Sequence, residues 1–460
     1  MSIKTFKGGI HPPEMKLVSA QAEVKYVSPH THSVWIPVTQ GGAPNTPIVK
    51  VGDSVVRGQK IAESEAYMSC PVHASISGVV KKIEPHLASG NAEKLCILIE
   101  GDGSNTEAFM APLDPFTCTH EEAIARVHDA GIVGMGGAAF PAHVKLSPPK
   151  DVKIDYVIAN AAECEPYLCI DAATLYSKAF DVIDGLAITM RITNASKGVI
   201  ALEENKKDVL PIIEDTIKKI KSNPVAKGAY DISVQLCKTK YPQGGEKNIT
   251  VAIAGREIPA GGLPFQVGCI VHNVGTLKAI SEAFRIGKPL IDRPLTISGG
   301  ACERPQNIFA PIGTCLSDLI PSEITFNKGI AKILSGGPMM GVAMNNADFP
   351  IEKNTSGVLF LTQDEIDVDE EDTCISCGRC IKACSCRLAP VLMIQAIERN
   401  NLDEAVRCGL RDCVLCGSCA FVCPGRIKLT QRFKLGKELL RLKDAKERAK
   451  KEAMKAQGGV

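Results

Sequence analysis

Two stretches of sequence decide how the C-terminal part of this chain folds: Cys374-Ile-Ser-Cys377-Gly-Arg-Cys380-Ile-Lys-Ala-Cys384 and Cys413-Val-Leu-Cys416-Gly-Ser-Cys419-Ala-Phe-Val-Cys423-Pro424. Each has three cysteines spaced by two residues and a fourth cysteine after three more. One tight loop can therefore bring three thiolates to the corners of a small metal centre, while the fourth lies about one helical turn further on. The pattern indicates two metal sites that share one small domain.

The same spacing, written twice, is typical of bacterial ferredoxins with two [4Fe–4S] clusters, in which the fourth cysteine of each motif ligates the other cluster. This resemblance assigns Cys374, Cys377, Cys380 and Cys423 to one cluster, and Cys413, Cys416, Cys419 and Cys384 to the other. Iron is favoured over zinc, because zinc sites usually use two cysteine pairs. Cys386 follows the first motif, and we expect it to be a bystander.

Composition limits the remaining possibilities. The chain has 460 residues, enough for about three domains, and 19 cysteines, ten of which lie between residues 374 and 423. An odd, large cysteine count without a signal peptide favours metal binding over disulfides. The formal net charge of +2 gives no overall field for nucleic acid. Without a long apolar run, we expect no transmembrane helix and a location in the cytosol or on the cytosolic side of a membrane.

The N-terminal part predicts a β-rich domain. Residues 49–61 and 71–83 combine short Val/Ile runs with Gly turns, and the pair resembles the two halves of a biotinyl/lipoyl-type β-sandwich. Those carrier domains present a lysine at the hairpin tip, but here the tip, residues 65–69, has none. We therefore expect the lipoyl-like fold without the carrier function, and an ordinary pair of hairpins is the alternative.

The middle of the chain alternates between helix and strand patterns, which favours an α/β layer. Thr119 is placed to cap a helix over residues 120–130, and residues 155–160 are typical of a buried strand. The fold class is therefore multidomain, α/β and α+β. The expected parts are a lipoyl-like β-sandwich at 1–115, a Rossmann-like flavin domain at 116–288, a β-grasp (SLBB-like) module at 289–345, an acidic linker at 346–372, a ferredoxin-like 2[4Fe–4S] domain at 373–430 and a basic C-terminal tail at 431–460.

A glycine loop, Gly134-Met-Gly-Gly-Ala-Ala-Phe-Pro141, is the second informative motif. Alone it is weak, and it is a poor dinucleotide fingerprint because a helix, not a strand, is predicted before it. Four further sequence features strengthen the case for a ligand site: Lys145, Asn160-Ala-Ala-Glu-Cys-Glu-Pro166, Gly244-Gly-Glu246 and His272-Asn-Val-Gly-Thr276. Glycines and a lysine suit a phosphate, whereas amides and carboxylates suit a ring edge and ribose hydroxyls.

This set, over roughly residues 120–320, resembles the flavoprotein subunit of respiratory complex I, which binds FMN and NADH. Over its whole length the chain is more similar to the RnfC family, the C component of the Rnf electron transport complex. The features that carry this are residues 6–13 (Phe-Lys-Gly-Gly-Ile-His-Pro-Pro), the lysine-less lipoyl-like segment, the flavin loop, the β-grasp piece and both cysteine motifs. The A component of the sodium-pumping quinone reductase shares the N-terminal pattern but lacks the cluster motifs.

The resemblance to the flavoprotein implies roles for individual residues. It implies that FMN phosphate and ribityl are held by Gly134, Gly136, Gly137 and Lys145. It implies that the isoalloxazine and its sugar chain are met by Asn160, Glu163 and Asn273, with Thr276 matching the family's threonine. It implies that the nicotinamide side is bounded by Phe140, Glu165 and Glu246. The chain departs from the flavoprotein at Met135 and Ala139, where that family has Arg and Gly, and at Ala162, where it has Asp.

The Rnf resemblance implies a peripheral subunit on the cytoplasmic face of the cell membrane, in an ion-translocating ferredoxin:NAD+ oxidoreductase. Hydride would pass between NAD(H) and non-covalent FMN, and electrons would pass through two [4Fe–4S] clusters. The implied partners are the other membrane-complex subunits, ferredoxin or a cluster subunit that accepts electrons from it, and NAD(H), but no nucleic acid. One alternative is a non-catalytic cluster scaffold with a degenerate flavin site, and another is a free-standing NADH-dependent enzyme with its own organic substrate.

Overall fold

The computed structural model describes residues 2–27, 32–104, 106–221 and 230–457, and within these ranges the strands form four sheets. The first eight strands are β1 (Lys25–Tyr26), β2 (Ser33–Pro37), β3 (Thr46–Pro47), β4 (Ser54–Val55), β5 (Lys60–Glu63), β6 (Val72–His73), β7 (Gly78–Leu87) and β8 (Glu93–Gly101). Strands β2-β8-β7-β4 form one antiparallel sheet and β3-β5-β6 form another. Their apolar side chains, such as Ile36, Ile61 and Ile97, share one buried core. The expectation of a β-rich N-terminal domain is confirmed.

Residues 2–27 differ from that expectation, because they run across other parts of the molecule. Lys4 forms a bridge with Cys237, and Ile10 forms one with Tyr241. Strand β1 pairs in parallel with residues 308–309. We call residues 2–27 the N-terminal strap. The partners in these pairings are distant in the chain, so the sequence of the strap alone could not reveal where it lies.

The central domain is a parallel α/β layer, as expected. Its elements are α1 (His120–Asp129), α2 (Ala142–Lys145), β9 (Tyr156–Ala161), α3 (Ile170–Thr193), β10 (Lys197–Glu203), α4 (Leu210–Lys221), β11 (Asp231–Cys237), α5 (Glu246–Ala254), β12 (Cys269–Asn273) and α6 (Val274–Arg285). Thr119 caps α1 in a capping box with Glu122. The strand order is β11-β10-β9-β12, all parallel. The order therefore reverses between β9 and β12, and such reversals open a crevice at the carboxyl ends of the strands.

A third layer follows, with β13 (Asp292–Ser298), β14 (Gln306–Pro311), β15 (Lys332–Ser335), β16 (Val342–Met344) and β17 (Gly357–Leu361). The sheet has the order β1-β14-β13-β17-β15-β16. Strand β17 lies in its middle and is buried along its whole length. The sequence expectation assigned residues 346–372 to a linker, but the apolar run of β17 makes it a central strand. The linker begins only after Leu361.

The C-terminal part is helical, with α7 (Arg379–Ala383), α8 (Pro390–Glu398), α9 (Leu402–Arg407), α10 (Ser418–Phe421) and α11 (Leu429–Gln457). The range 431–460 was expected to be a basic tail. Instead, Phe433 and Leu440 of α11 are buried in one core with Met393 of α8, so the tail begins as a core helix; residues 458–460 lie outside the described ranges. No helix in the described part of the chain has the length and apolar character needed to span a membrane.

Opposite charges attach the acidic linker to the helical domain. The Arg432 guanidinium lies 2.6 Å from the Glu371 carboxylate. Arg426 contacts Asp367 at 3.0 Å and Asp369 at 2.7 Å. These pairs are partly exposed, so each contributes little alone, but together they hold the linker along one side of the domain.

Helices α3 and α6 pack so closely at Gly185 that a substitution of this glycine can test their packing. A Cβ at Gly185 of α3 would lie 1.9 Å from the carbonyl oxygen of Leu277. An exposed Gly→Ala change in a helix usually stabilises it by roughly 0.5–1 kcal/mol. Here we expect Gly185→Ala to destabilise the protein by about 1–3 kcal/mol, because backbone atoms must move. Thermal unfolding of the two proteins measures the difference. Phe180→Ala, on the exposed side of α3, is the control, and a stabilised Gly185→Ala variant would contradict the packing.

Candidate functional site

The crevice between β9 and β12 brings several of the predicted residues together. Asn160 at the end of β9 is in register with Asn273 at the end of β12. The Asn160 amide donates to the Gly244 carbonyl at 2.8 Å. Asn273 caps α6 by accepting from the Gly275 amide at 2.8 Å, and its own amide donates to Asp171 at 2.7 Å. Helices α3, α5 and α6 all begin at this edge, which favours an anionic group there.

The glycine loop lies on the same edge and is held by buried side chains. The Gly134 amide donates to the Phe140 carbonyl at 2.8 Å, which closes the loop. The Met135 amide donates to the Thr276 hydroxyl at 3.0 Å, and the Met135 carbonyl accepts from Arg293 at 2.9 Å. Thr276 was predicted from the resemblance to lie among the cofactor contacts. The structure places it fully buried behind the loop, where its hydroxyl positions the backbone.

Gly136 and Gly137 leave the crevice open. A Cβ at Gly136 would lie 2.9 Å from the Asn273 amide nitrogen, so a larger residue would push the loop away from α6. A Cβ at Gly137 would meet nothing within 4 Å. Both glycines are exposed. The loop thus presents bare backbone beside the start of α6, which suits a phosphate-bearing ligand.

Lys145 and Glu246 face each other at this edge. The Lys145 ammonium lies 2.6 Å from the Glu246 carboxylate and donates to the Val271 carbonyl at 3.2 Å. Lys145 ends the short helix α2, and Glu246 is the first residue of α5. Phe140, at the end of the glycine loop, is half-buried. The lysine predicted for the phosphate and a glutamate predicted for the nicotinamide side therefore form one ion pair.

Glu163 and Glu165 have backbone partners. The Glu163 carboxylate accepts from the amides of Asp171 at 2.8 Å and Ala172 at 3.3 Å, so it caps the start of α3. The Glu165 carboxylate accepts from the amides of Met339 at 3.0 Å and Met340 at 2.9 Å. Each therefore fastens the loop after β9 to a neighbouring element.

The sequence reasoning missed Lys16 of the N-terminal strap. Its ammonium donates to the carbonyls of Glu163 at 3.2 Å and Glu165 at 2.8 Å, and also to that of Leu168. One cation thus holds the whole loop that carries both glutamates. Nothing in the local sequence of Lys16 signals this role, because its partners lie about 150 residues away in the chain.

Asp171 and Arg293 form a second pair of residues that the sequence did not single out. Arg293 is buried, and its guanidinium also donates to the Thr355 carbonyl at 2.6 Å. Burial raises the pKa of Asp171, the negative charge of Glu163 raises it further, and the positive charge of Arg293 opposes the rise. The floor of the crevice is therefore a network of buried charges that depend on one another.

One of the two predicted cysteine quartets lines a single cavity. Its walls include Cys384, Cys413, Cys416 and Cys419, the set assigned to the second cluster, and Cys386. The pKa of Cys413 is raised to about 11, mainly by burial and also by the neighbouring thiols Cys416 and Cys384. Grouped thiols of this kind suit a cationic metal centre, which lowers their pKa and keeps them as thiolates.

The other quartet lies nearer the surface. Cys374 and Cys377 are exposed, whereas Cys380 and Cys423 are half-buried. The Asp372 amide donates to the Gly425 carbonyl at 2.9 Å. This bond joins the chain just before Cys374 to the chain just after Cys423, as the predicted ligand set requires.

The inner cysteine cavity lies against the central domain. The Tyr241 hydroxyl donates to the Cys416 carbonyl at 2.6 Å. Tyr241 begins the short loop that leads to Gly244 and Glu246. The Gly244 carbonyl accepts a hydrogen bond from the Asn160 amide, and Glu246 forms an ion pair with Lys145. A single loop of six residues therefore spans from the cysteine cavity to the crevice.

Comparison with known proteins finds two family models that match parts of the chain. The family model for the RnfC barrel sandwich hybrid domain matches residues 4–104. The model for the Nuo51 FMN-binding domain matches residues 127–282. The fold and the crevice thus define the class: a multidomain α/β protein with a flavin-binding type of domain.

Relatives that match most of the chain show which family it belongs to. The chain is 41% identical over 88% of its length, and over 86% of the relative, to the C component of the proton-translocating ferredoxin:NAD(+) oxidoreductase complex of Clostridium ljungdahlii. It is 41% identical over 88% of its length, and over 90% of the relative, to the Na(+)-translocating counterpart of Acetobacterium woodii. It is 34% identical over 94% of its length, and over 82% of the relative, to the C component of the ion-translocating oxidoreductase complex of Rhodobacter capsulatus. The chain belongs to the RnfC family.

Glu165 generates a pH-dependent prediction. Burial raises its pKa to about 7, against hydrogen bonds from Met339 and Met340 that lower it. The folded state thus holds this proton more tightly than the unfolded state, so Glu165 lowers stability progressively as pH rises from about 4.3 towards 7. We expect Glu165→Gln to gain stability relative to the parent between about pH 5 and pH 8.

Thermal unfolding midpoints across this pH range provide the measurement. Glu214→Gln, on the exposed face of α4, is the matched control and should track the parent at every pH. A constant difference between Glu165→Gln and the parent would show that Glu165 does not titrate in this range.

Proposed function

We propose that this chain is the NAD-facing, peripheral subunit of an ion-translocating ferredoxin:NAD+ oxidoreductase. It would exchange hydride between NAD(H) and non-covalently bound FMN and relay electrons through two [4Fe–4S] clusters. The observation that carries the proposal is the six-residue loop from Tyr241 to Glu246, which spans from the inner cysteine cavity to the crevice. A converter between hydride and single electrons needs the two sites to be neighbours.

The residues of the crevice fit FMN. The exposed glycine loop with open space at Gly137, the converging helix N-termini and the Lys145 ammonium would hold the phosphate and ribityl. We assign the contacts to the ring and sugar chain to Asn160, Glu163 and Asn273. Bound FMN would supply the conversion between two-electron and one-electron chemistry. The protein's own task is to position the groups and to keep the buried charges balanced.

The nicotinamide side is assigned to Phe140, Glu165 and Glu246. Glu246 projects from the start of α5 beside Lys145, so its charge is already balanced before NADH arrives. Glu165 is held by two backbone amides and by the loop that Lys16 clamps. These residues would shape the entrance and orient the dinucleotide, and none of them is required as a strong acid or base.

The cysteines fit two clusters with different surroundings. Cys384, Cys413, Cys416 and Cys419 would hold the inner cluster, next to the crevice. Cys374, Cys377, Cys380 and Cys423 would hold the outer one, where two ligands are exposed. We assign the outer cluster to exchange with the partner, which is ferredoxin or a cluster subunit reduced by ferredoxin, and the inner cluster to exchange with the flavin.

The relatives' names support membership in a multisubunit complex, so we propose other complex subunits as partners and the cytoplasmic face of the membrane as the location. Exposed apolar side chains lie close to the outer cysteines in sequence, including Ile375 and Val368, which are 70% and 67% exposed. Such residues beside a solvent-facing cluster are suited to a partner interface.

The competing hypothesis of a cluster scaffold with a degenerate flavin site rests on Met135 and Ala162. Both side chains are buried, at 2% and 0% exposure. Met135 packs in the apolar core below the loop. The two departures therefore do not fill the crevice, which favours the FMN-binding hypothesis over the scaffold.

Lys145 provides the test of the flavin site. We expect Lys145→Ala to weaken FMN binding roughly ten- to a hundred-fold, because a charge-assisted contact is worth about 1.5–3 kcal/mol. Both clusters should remain intact. The measurements are the FMN dissociation constant and the NADH–ferricyanide rate. Lys153→Ala, which removes a lysine with an 83% exposed side chain, is the control. Unchanged FMN affinity in Lys145→Ala would remove Lys145 from the site.

Cys416 provides the test of the clusters. We expect the parent to contain about eight irons per chain. Cys416→Ala should lose the inner cluster and weaken the outer one, because the ligand sets interleave in one small core. Cys386→Ala, in the same cavity, is the matched control and should keep all the iron. Full iron content in Cys416→Ala, or loss of a cluster in Cys386→Ala, would overturn the ligand assignment. Anaerobic EPR with iron analysis provides the measurement.

A further inference from the structure

A second group of metal-ligating side chains lies far from the cysteine motifs in sequence. It consists of His86 on β7, Cys315 after β14 and Asp348 after β16. One ligand atom from each residue lies within 4.8 Å of the others. The group is made of three different residue types from two domains, and only the tertiary structure brings them together.

Each side chain is oriented by a neighbour. The His86 Nδ1 lies 2.9 Å from the Leu87 carbonyl, so this nitrogen carries the proton and Nε2 has a free lone pair. The His86 ring also stacks on Trp35 with centroids 4.2 Å apart. The Asp348 carboxylate accepts from the Ser317 hydroxyl at 3.2 Å through one oxygen. Metal sites commonly use such outer contacts to fix their ligands.

Cys315 is the buried member of the group. It is 2% exposed, and its thiol has no hydrogen bond to any residue in the part of the chain that the structure describes. It precedes a short 3-10 helix, Leu316–Leu319, and so has a fixed backbone position. A buried thiol beside an imidazole and a carboxylate is a natural set of ligands for a divalent metal.

We propose that His86, Cys315 and Asp348 bind one Zn2+ ion. The mixed nitrogen, sulfur and oxygen donors suit zinc, which binds Cys, His and carboxylate ligands in tetrahedral geometry. A water molecule takes the fourth position. Small adjustments of exposed Asp348 bring the three atoms to the shorter spacing of a tetrahedral site.

The ion joins the β7–β8 hairpin to the six-stranded sheet that contains β13–β17. The tip of this hairpin already contacts that sheet through other groups: Lys94 lies 2.9 Å from Glu352, and the Asn91 amide donates to the Ala343 carbonyl at 2.7 Å. These contacts are partly exposed and individually weak. A metal bridge at the base of the tip fixes the angle between the N-terminal sandwich and the rest of the molecule. This role is independent of the proposed electron-transfer function.

Element analysis of the complete, cluster-loaded protein tests the site. After growth with added zinc, the parent should contain about one zinc per chain in addition to its iron. In His86→Ala and in Cys315→Ser, the zinc content per chain should fall at least about five-fold, while the iron content stays unchanged. Cys302→Ser is the matched control, because Cys302 is a buried thiol of the same sheet domain that donates to the Ser298 carbonyl at 3.4 Å. Zinc-free parent protein, or variants with unchanged zinc, would overturn the proposal.

X-ray absorption at the zinc edge keeps the test valid even if a variant folds poorly. In the parent it should show one sulfur at about 2.3 Å and the remaining ligands, nitrogen or oxygen, at about 2.0–2.1 Å. Zinc that had displaced iron from a cysteine quartet would show four sulfurs instead, and that result would also overturn the proposal.

Discussion

Strands β9 and β12 lie side by side although most of the domain separates them in sequence, and the crossovers on either side of them leave in opposite directions. The carboxyl ends of these two strands therefore border a crevice. Asn160 and Asn273 face each other there in register, and helices α3 and α6 start beside them. The close packing of α3 on α6 at Gly185 holds this arrangement from behind. The glycine loop, the charged network and the position of the inner cysteine cavity all depend on it.

Buried cations fasten the domains around this crevice. The Lys353 ammonium donates to the carbonyls of Pro71 at 2.9 Å and Gly131 at 2.7 Å. Lys353 therefore joins the segment before β17 to the N-terminal sandwich and to the chain just before the glycine loop. Burial lowers the pKa of Lys353 to about 8. Buried Arg293 acts similarly on the glycine loop. Because a buried cation without partners is strongly unfavourable, Lys353 and Arg293 resist separation of the parts that they join. Half-buried Lys16 adds its hydrogen bonds to the loop after β9.

This rigidity matters for the proposed function, because electron transfer depends on fixed distances between centres. The hydroxyl of Tyr241 contacts the cysteine loop directly, while the same short segment ends at Glu246 in the crevice. The exposed Cys374 and Cys377 directly follow the acidic linker, which Arg426 and Arg432 hold against the helical domain. In this arrangement the proposed outer cluster site would face the solvent, and the proposed inner cluster site would lie beside the crevice.

Local patterns were enough to predict the features that depend on neighbouring residues. The spacing of Cys374–Cys384 and Cys413–Cys423 predicts two groups of metal ligands, and their assignment to two clusters stays a prediction. The Thr119 cap indicates the start of α1 and the apolar run around residue 157 indicates β9, and the structure confirms both. These features need only contacts within a few turns of the chain. Only the tertiary structure decided that β17 is a central strand, that residues 2–27 form a strap, that Lys16 clamps the loop of Glu163, and that Thr276 lies behind the glycine loop. Each of these depends on partners far away in sequence, and the burial and hydrogen bonding that select them exist only once the domains have packed together.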